Sequence, residues 1–453
     1  MGVRRDFHRY WGKTRLPDKF GSDLEKSGPI YHLLPYHCLD VAAVGWILLD
    51  PEKPLCQRLA AQLGVEAAWL RSFFVFCLSL HDLGKFSRAF QGQKTGLSPD
   101  LVKANPRMRY DERHDTLGFW LWRDNLSTQL EKLLSGNSEW PSNIESWLEI
   151  VTGHHGMPPK KSGGRISNFF EQEDEETACH FVREACSYFL SGFEHAALID
   201  KDLKQRLKTV SWQLAGVAVL ADWLGSNQDY FEYCREHEEL AVYWHKRALP
   251  SAEKAIQSMP GKPKTSRFQD LNNLFPVIKK PTPLQEYAIN EPLNDKPQLF
   301  ILEDVTGAGK TEAALVLTHR LLSAGMADGL YVALPTMATA NAMYKRIGEV
   351  YRRFYESSGD LPSLILAHGA RELSDAFRTS VCLPDDQRAD MDYADGHDER
   401  EQELSATAYC NAWLADSRKK ALLATTHYLH TATLSKVDSF TSVYFFRSNR
   451  RIH

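Results

Sequence analysis

Five histidines and two aspartates, spread from position 37 to position 222, set the strongest constraint on what this chain can fold into. They lie in Tyr36-His37-Cys38-Leu39-Asp40, Leu80-His81-Asp82-Leu83-Gly84-Lys85, Thr152-Gly153-His154-His155-Gly156 and Leu220-Ala221-Asp222-Trp223-Leu224, with His114 between the second and third. Most of the seven have small or apolar neighbours, where a polar side chain is costly unless something pairs with it. Imidazole and carboxylate together suit first-row divalent metals. Seven donors exceed what one four-coordinate ion needs, so two metals are expected. His81-Asp82 at a helix end can chelate one ion, or the carboxylate can bridge two. His154-His155 between glycines puts two imidazoles at a chain reversal where a phosphate can come close. His37 and His114 supply ligands from other helices, and Asp222 closes the cage from a late one. Two ions about 3.5–4 Å apart can activate water in line with a phosphodiester and stabilise the leaving oxygen. Asp82 and Lys85 are the expected catalytic residues, Lys85 offsetting charge that develops on the phosphate.

A second feature lies downstream. Thr306-Gly307-Ala308-Gly309-Lys310-Thr311 follows an apolar run and precedes a helical one, the context a phosphate-binding loop requires. Thr306, Gly307, Ala308, Gly309 and Lys310 are expected to wrap phosphate with backbone amides, Lys310 to reach the β- and γ-phosphates, and Thr311 to hold magnesium, making ATP with Mg²⁺ the expected ligand. Asp304 stands where the strict pattern has glycine. A metal hydrolase and a nucleotide unit on one chain point to nucleic-acid processing.

Composition bounds the rest. A net charge of -4 gives no global pull toward nucleic acid, so any DNA contact must be local. The candidates are Arg4, Arg5, Arg9, Lys13 and Arg15, and a second group of Lys160, Lys161 and Arg165. The eight cysteines form no Cys-x-x-Cys pair, which argues against a structural zinc site or disulfide framework and for a reducing interior. No apolar h-region follows the charged start, and the longest apolar stretch is too short to span a bilayer, so a cytoplasmic, membrane-free monomer is expected. Residues 1–245 read as helical, with helices over 65–80 and 207–224, and the acidic stretch 172–177 reads as solvent-facing. The proline-rich segment 246–282 reads as a linker. Residues 283–453 alternate strands (298–303, 329–334, 363–367) with helices (311–324, 339–355), the pattern of a parallel α/β sheet. The expected fold class is multidomain α + α/β.

Leu80-His81-Asp82-Leu83-Gly84-Lys85 with Gly153-His154-His155-Gly156 resembles the HD phosphohydrolase superfamily. Tyr10-Trp11-Gly12-Lys13, the segment from Tyr36 to Ala42 and Ala221-Asp222-Trp223-Leu224-Gly225-Ser226 narrow the likeness. Together they resemble the helicase–nuclease of type I CRISPR systems, most like the variety working with the Escherichia-type Cascade complex. The resemblance, over residues 8–370, implies an all-α HD domain followed by a RecA-like domain. It implies His37, His81, Asp82, His114, His154, His155 and Asp222 as ligands of two iron, nickel, cobalt or manganese ions. It further implies single-stranded DNA as substrate, recruitment by the guide-RNA complex, and ATP-dependent 3'-5' translocation. Thr282-Pro283-Leu284-Gln285 resembles a Q motif, with Gln285 reading adenine. Ala333-Leu334-Pro335-Thr336 and Ala338-Thr339-Ala340-Asn341 resemble motif Ia, and Leu366-Ala367-His368-Gly369 the segment after it.

The likeness fades from about residue 424. No Asp-Glu-x-His strand, which a helicase uses to hold magnesium, follows. Thr425-Thr426-His427-Tyr428-Leu429-His430 and the stretch from Phe445 to His453 match no helicase element. The RecA-like domain is therefore expected to be incomplete, the end a truncation or frameshift, and unwinding lost. The alternatives are an HD-type nucleotide phosphohydrolase and a non-catalytic remnant that binds DNA or Cascade.

Overall fold

The structure is a computed structural model that describes residues 6–15, 28–128, 140–155, 158–161, 163–193, 197–198, 200, 202–259, 263–294, 296, 298–327, 329–334, 337–356, 364–367, 421–425 and 443–445. The described residues up to Met259 form one compact unit and those from Pro263 another.

The first unit is helical, around α1 (Leu34–Leu48). Pro35 starts this helix where no backbone N–H is needed. Its residues from Leu34 to Gly45 are all buried, as befits a helix apolar on every side. Helices α2 (Pro54–Leu63), α3 (Ala67–Leu78), α4 (His114–Leu121), α5 (Trp140–Thr152), α6 (Gln172–Phe189), α7 (Leu203–Gly225) and α8 (Leu249–Ser258) follow. Helices α3, α7 and α8 pack on α1. A two-stranded antiparallel ribbon, β1 (Trp11–Thr14) with β2 (Tyr31–Leu33), leads into it. Phe73, Phe74, Phe76, Trp120 and Trp147 fill the core with aromatic volume.

Two expectations change here. The acidic stretch 172–177 does not wholly face solvent: Asp174 is buried, accepts from Tyr10 Oη at 2.6 Å and pairs with Arg88 at 2.8 Å. It also completes a capping box with Glu171, so its carboxylate is fully used. The segment 246–282 holds α8, whose Ala252 and Ala255 are buried in the first core, and Leu271, Leu274 and Phe275, buried in the second.

The second unit carries a four-stranded parallel sheet in the order β4 (Leu364–Ala367), β5 (Ala421–Thr425), β3 (Leu330–Leu334), β6 (Val443–Phe445). Helices α9 (Pro283–Asn290), α10 (Lys310–Ser323) and α11 (Met337–Arg352) accompany it. Gln298–Glu303, expected as a strand, joins no ladder among the described residues. Phe300 and Leu302 pack on the second core while Leu299, Ile301 and Val305 are exposed. The alternation of a strand is present, but a strand also needs a paired neighbour. Pro335-Thr336, His368-Gly369, Arg4, Arg5, Gly156 and most of the unusual end, including Thr426–His430, lie outside the described residues.

Among the described residues no single helix is long and apolar enough to cross a membrane. The six cysteines described are buried free thiols.

Candidate metal centre and phosphate-binding loop

The seven residues converge in the first unit. α1 contributes His37, and the chain leaving α3 turns sharply to present His81 and Asp82. That turn lies against the start of α4 because residue 84 is glycine: a Cβ there would fall 1.8 Å from the His114 carbonyl oxygen. His114 opens α4, His154 and His155 form a single turn after α5, and Asp222 comes from the last turns of α7.

Asp82 sits in the middle. Its Oδ2 is 3.1 Å from His37 Nε2 and 3.3 Å from His81 Nε2, and its Oδ1 is 3.4 Å from His114 Nε2 and 3.8 Å from His154 Nε2. Asp222 Oδ1 lies 3.7 Å from the Nε2 atoms of both His37 and His81. His155 Nε2 faces His114 Nε2 at 3.0 Å. Two groups of donors therefore form, His37–His81–Asp82 and His114–His154–His155, each with its atoms within 4.8 Å of one another and able to hold a metal ion.

The orientations suit cation binding. His81 Nδ1–H donates to the Leu78 carbonyl at 2.9 Å and His154 Nδ1–H to the Val151 carbonyl at 3.0 Å, which turns each Nε2 inward. His37 Nε2, His81 Nε2 and both Asp82 oxygens are buried without hydrogen-bond geometry to any partner, although ionic neighbours stand close. Such atoms are expensive unless a ligand takes their lone pairs. Burial holds His37, His114, His154 and His155 below the usual histidine range, leaving neutral imidazoles. His81 is raised to about 9: burial opposes its charge, but Asp82 and Asp222 together outweigh that. For Asp82, burial favours the protonated form, yet His81 and Lys85 keep it well below the carboxylate range.

Lys85 does not point toward open space. Its Nζ is 2.8 Å from Asp82 Oδ2 and donates to the Gly12 carbonyl at 3.3 Å. Two of the three basic residues after the paired histidines are also engaged, Lys160 with Glu112 at 3.0 Å and Lys161 with Glu149 at 3.1 Å, while Arg165 is exposed.

In the second unit, Gly307 (φ +90°) and Gly309 (φ +81°) adopt left-handed conformations that favour glycine. They curl residues 306–309 over the start of α10, whose first turn has no side-chain cap. Lys310 Nζ donates to the carbonyls of Asp304 at 2.7 Å and Val305 at 2.8 Å. Thr311, in the first turn of α10, is half-buried. Gln285 is buried beneath this loop: its Oε1 accepts from the Thr282 N–H at 3.0 Å in a capping box, and Thr282 Oγ1 donates to the Ala308 carbonyl at 3.0 Å. Gln285 thus braces the loop from below.

Residues 11–231 match the family model described as Cas3, HD domain. The first unit belongs to the Cas3 HD family. The CRISPR-associated endonuclease/helicase Cas3 of Escherichia coli (strain K12) is 29% identical over 441 residues, covering 91% of this chain and 46% of the relative. The protein of the same name from Thermus thermophilus is 30% identical over 412 residues, covering 88% and 41%. The chain spans less than half the length of these curated relatives. The crystal structure of T. fusca Cas3-ATP superposes with a TM-score of 0.56 at 19% identity, covering 95% of this chain and 52% of that one, a likeness of fold.

Two residues of the HD domain escaped sequence reasoning. Tyr110 places its hydroxyl 2.9 Å from both the backbone nitrogen and Nδ1 of His114. Gln91 is buried, accepting from the Trp11 N–H at 3.1 Å and donating to the carbonyls of Trp11 at 2.9 Å and Lys85 at 2.7 Å. Neither lies in a motif; Tyr110, four residues before a candidate ligand, carried the only signal.

Proposed function

We propose that the HD domain is a two-metal nuclease that cleaves single-stranded DNA in CRISPR defence, acting in the cytoplasm with a guide-RNA Cascade complex. The observation that carries this reading is Asp82, whose two carboxylate oxygens each face a separate group of imidazoles. In the proposal His37, His81, Asp82 and Asp222 hold one ion, and Asp82, His114, His154 and His155 the other. Imidazole-rich sites suit iron, nickel, cobalt or manganese. Bound there, the ions supply Lewis acidity toward water and toward the phosphodiester.

The chain's own residues do the positioning. His81 and then Lys85 keep Asp82 ionised, and the Lys85 contact fixes its carboxylate between the two groups. Lys85 therefore acts through Asp82 rather than on the phosphate. The backbone carbonyls of Leu78 and Val151 fix the ring orientation of His81 and His154. For the second unit the proposal is ATP with magnesium at Thr306–Thr311, with Gln285 bracing the loop; DNA unwinding is not assigned to this chain.

The test is cleavage of circular single-stranded DNA with added Mn²⁺, Co²⁺ or Ni²⁺, beside Asp82→Ala. Metal-dependent cutting by the wild type and none by Asp82→Ala is the expected result. Hydrolysis of free nucleotides with the circle left intact would replace this reading with a nucleotide phosphohydrolase.

A further inference from the structure

We propose that Gln91 is a positioning residue of the HD centre, holding the Gly12 carbonyl and the Lys85 backbone at the spacing that keeps the Lys85 ammonium on Asp82. The assignment rests on the nuclease reading above.

A lysine is a poor clamp by itself, because its ammonium is a compact charge on a flexible four-carbon stem. With one acceptor it can swing; with two from different elements its direction is set. Lys85 Nζ has two, Asp82 Oδ2 at 2.8 Å and the Gly12 carbonyl at 3.3 Å. Asp82 lies in the same turn, and its carbonyl accepts from the Lys85 N–H at 2.9 Å. Gly12 belongs to β1, so its place relative to Lys85 must be set by a group that touches both.

A local irregularity leaves the Gly12 carbonyl to Lys85. The β1–β2 register passes from Trp11↔Leu33 to Lys13↔His32, which makes Gly12 the extra residue of a bulge. Such a residue has no opposite number in the ladder, and bulges recur beside active sites. The backbone there presses on α1: a Cβ at residue 12 would fall 2.9 Å from Leu34 Cα and 3.2 Å from His37 Cβ.

Gln91 is the group that touches both elements. Its Nε2 donates to the Trp11 carbonyl, on the peptide bond that leads into Gly12, at 2.9 Å, and to the Lys85 carbonyl at 2.7 Å. Its Oε1 accepts from the Trp11 N–H at 3.1 Å. Two carbonyls and one N–H around a buried side chain call for two donors and an acceptor, the set that a primary amide carries. A carboxylate would face two carbonyl oxygens, and an apolar side chain would leave all three backbone groups unpaired. The amide is itself held from behind. Ser87 caps the short turn Arg88–Gln91, and Arg88 fastens that turn to α6 through Asp174 at 2.8 Å.

Single-turnover cleavage of single-stranded DNA with Mn²⁺ tests this through a pair of variants. Gln91→Met keeps the bulk and removes the three hydrogen bonds. It is expected to slow cleavage about tenfold, within the range for residues that share one hydrogen-bond network, with half-saturation by DNA little changed. The double variant with Lys85→Met should be no slower than Lys85→Met alone, because the loss passes through Lys85. Losses that multiply overturn the assignment. A second measurement needs no cleavage. Acetylation of Lys85 by an amine reagent, read by mass spectrometry, should run several-fold faster in Gln91→Met than in wild type, since the released ammonium opens locally. Leu59→Ala, a cavity in α2 where it packs on α3 and α7, controls for a general loss of stability and should label Lys85 as wild type does. Equal labelling in Gln91→Met and wild type, or the same acceleration in Leu59→Ala, overturns the assignment. A wild type that binds metal and leaves DNA intact removes the nuclease reading, while the labelling still decides Gln91.

Discussion

His114 depends on one neighbour for its orientation. The Tyr110 hydroxyl stands 2.9 Å from its backbone nitrogen and 2.9 Å from its Nδ1, so a single oxygen fixes both the start of α4 and the ring. Burial raises the phenol's pKa, so the hydroxyl stays neutral, able to accept the Nδ1–H and leave the Nε2 lone pair facing Asp82 Oδ1. Loss of an outer partner of this kind costs about 10–100-fold in metal affinity. Tyr110→Phe is therefore expected to weaken one of the two ions by about tenfold or more and leave the other unchanged, read by competition with a chelator. Equal affinities for both ions in wild type and variant would show that the hydroxyl does not orient His114. The candidate ligands were legible in sequence because polar residues among Leu, Ala and Gly stand out. Tyr110 was not, since it lies in an irregular segment where no periodicity ties it to position 114. Lys85 was legible as a cation of the site, but its partner was not: only the folded turn shows that it reaches back to Asp82.

Elements meet most closely where Gly84 lies on α4. A Cβ at 84 would come 1.8 Å from the His114 carbonyl oxygen and 2.6 Å from the Gly118 nitrogen, both backbone atoms that cannot swing aside. Overpacking of this kind costs about 1–3 kcal/mol or more, and the strain falls on the turn that positions His81, Asp82 and His114. Gly84→Ala should lower the thermal midpoint and also reduce bound metal below two ions per chain. A variant that melts lower yet binds both ions normally would separate packing from the centre. The same scale shows where sequence patterns carry and where they stop. Helices α3, α7, α10 and α11 were readable from apolar periodicity to within a few residues. Helix α8 was hidden because Pro250 reads as a linker signal, yet Pro250 sits in the helix's first turn, where its missing N–H costs nothing. The 298–303 segment has strand alternation, but pairing depends on a neighbour that local sequence does not name. Asp174 read as solvent-facing because its partners, Tyr10 and Arg88, are more than eighty residues distant.

At the scale of the whole molecule, the two units have distinct buried cores, one built on Phe73, Trp120 and Trp147 and the other on Val316, Ile347 and Phe354. Each also carries its own candidate ligand site, and a ligand stabilises only the unit whose native state it binds. The stabilisation is about 2.7 kcal/mol when the ligand is present at a hundred times its dissociation constant. Scanning calorimetry is therefore expected to show two transitions. Mn²⁺ or Ni²⁺ should raise only the transition that Asp82→Ala makes insensitive to metal. ATP with Mg²⁺ should raise only the transition that Lys310→Ala makes insensitive to nucleotide. The crossed pairs carry the argument: Asp82→Ala should leave the nucleotide response intact, and Lys310→Ala the metal response. A single transition moved by both ligands would mean that the units unfold as one cooperative body. Metal occupancy at Asp82 would then be coupled to the phosphate-binding loop through folding stability alone.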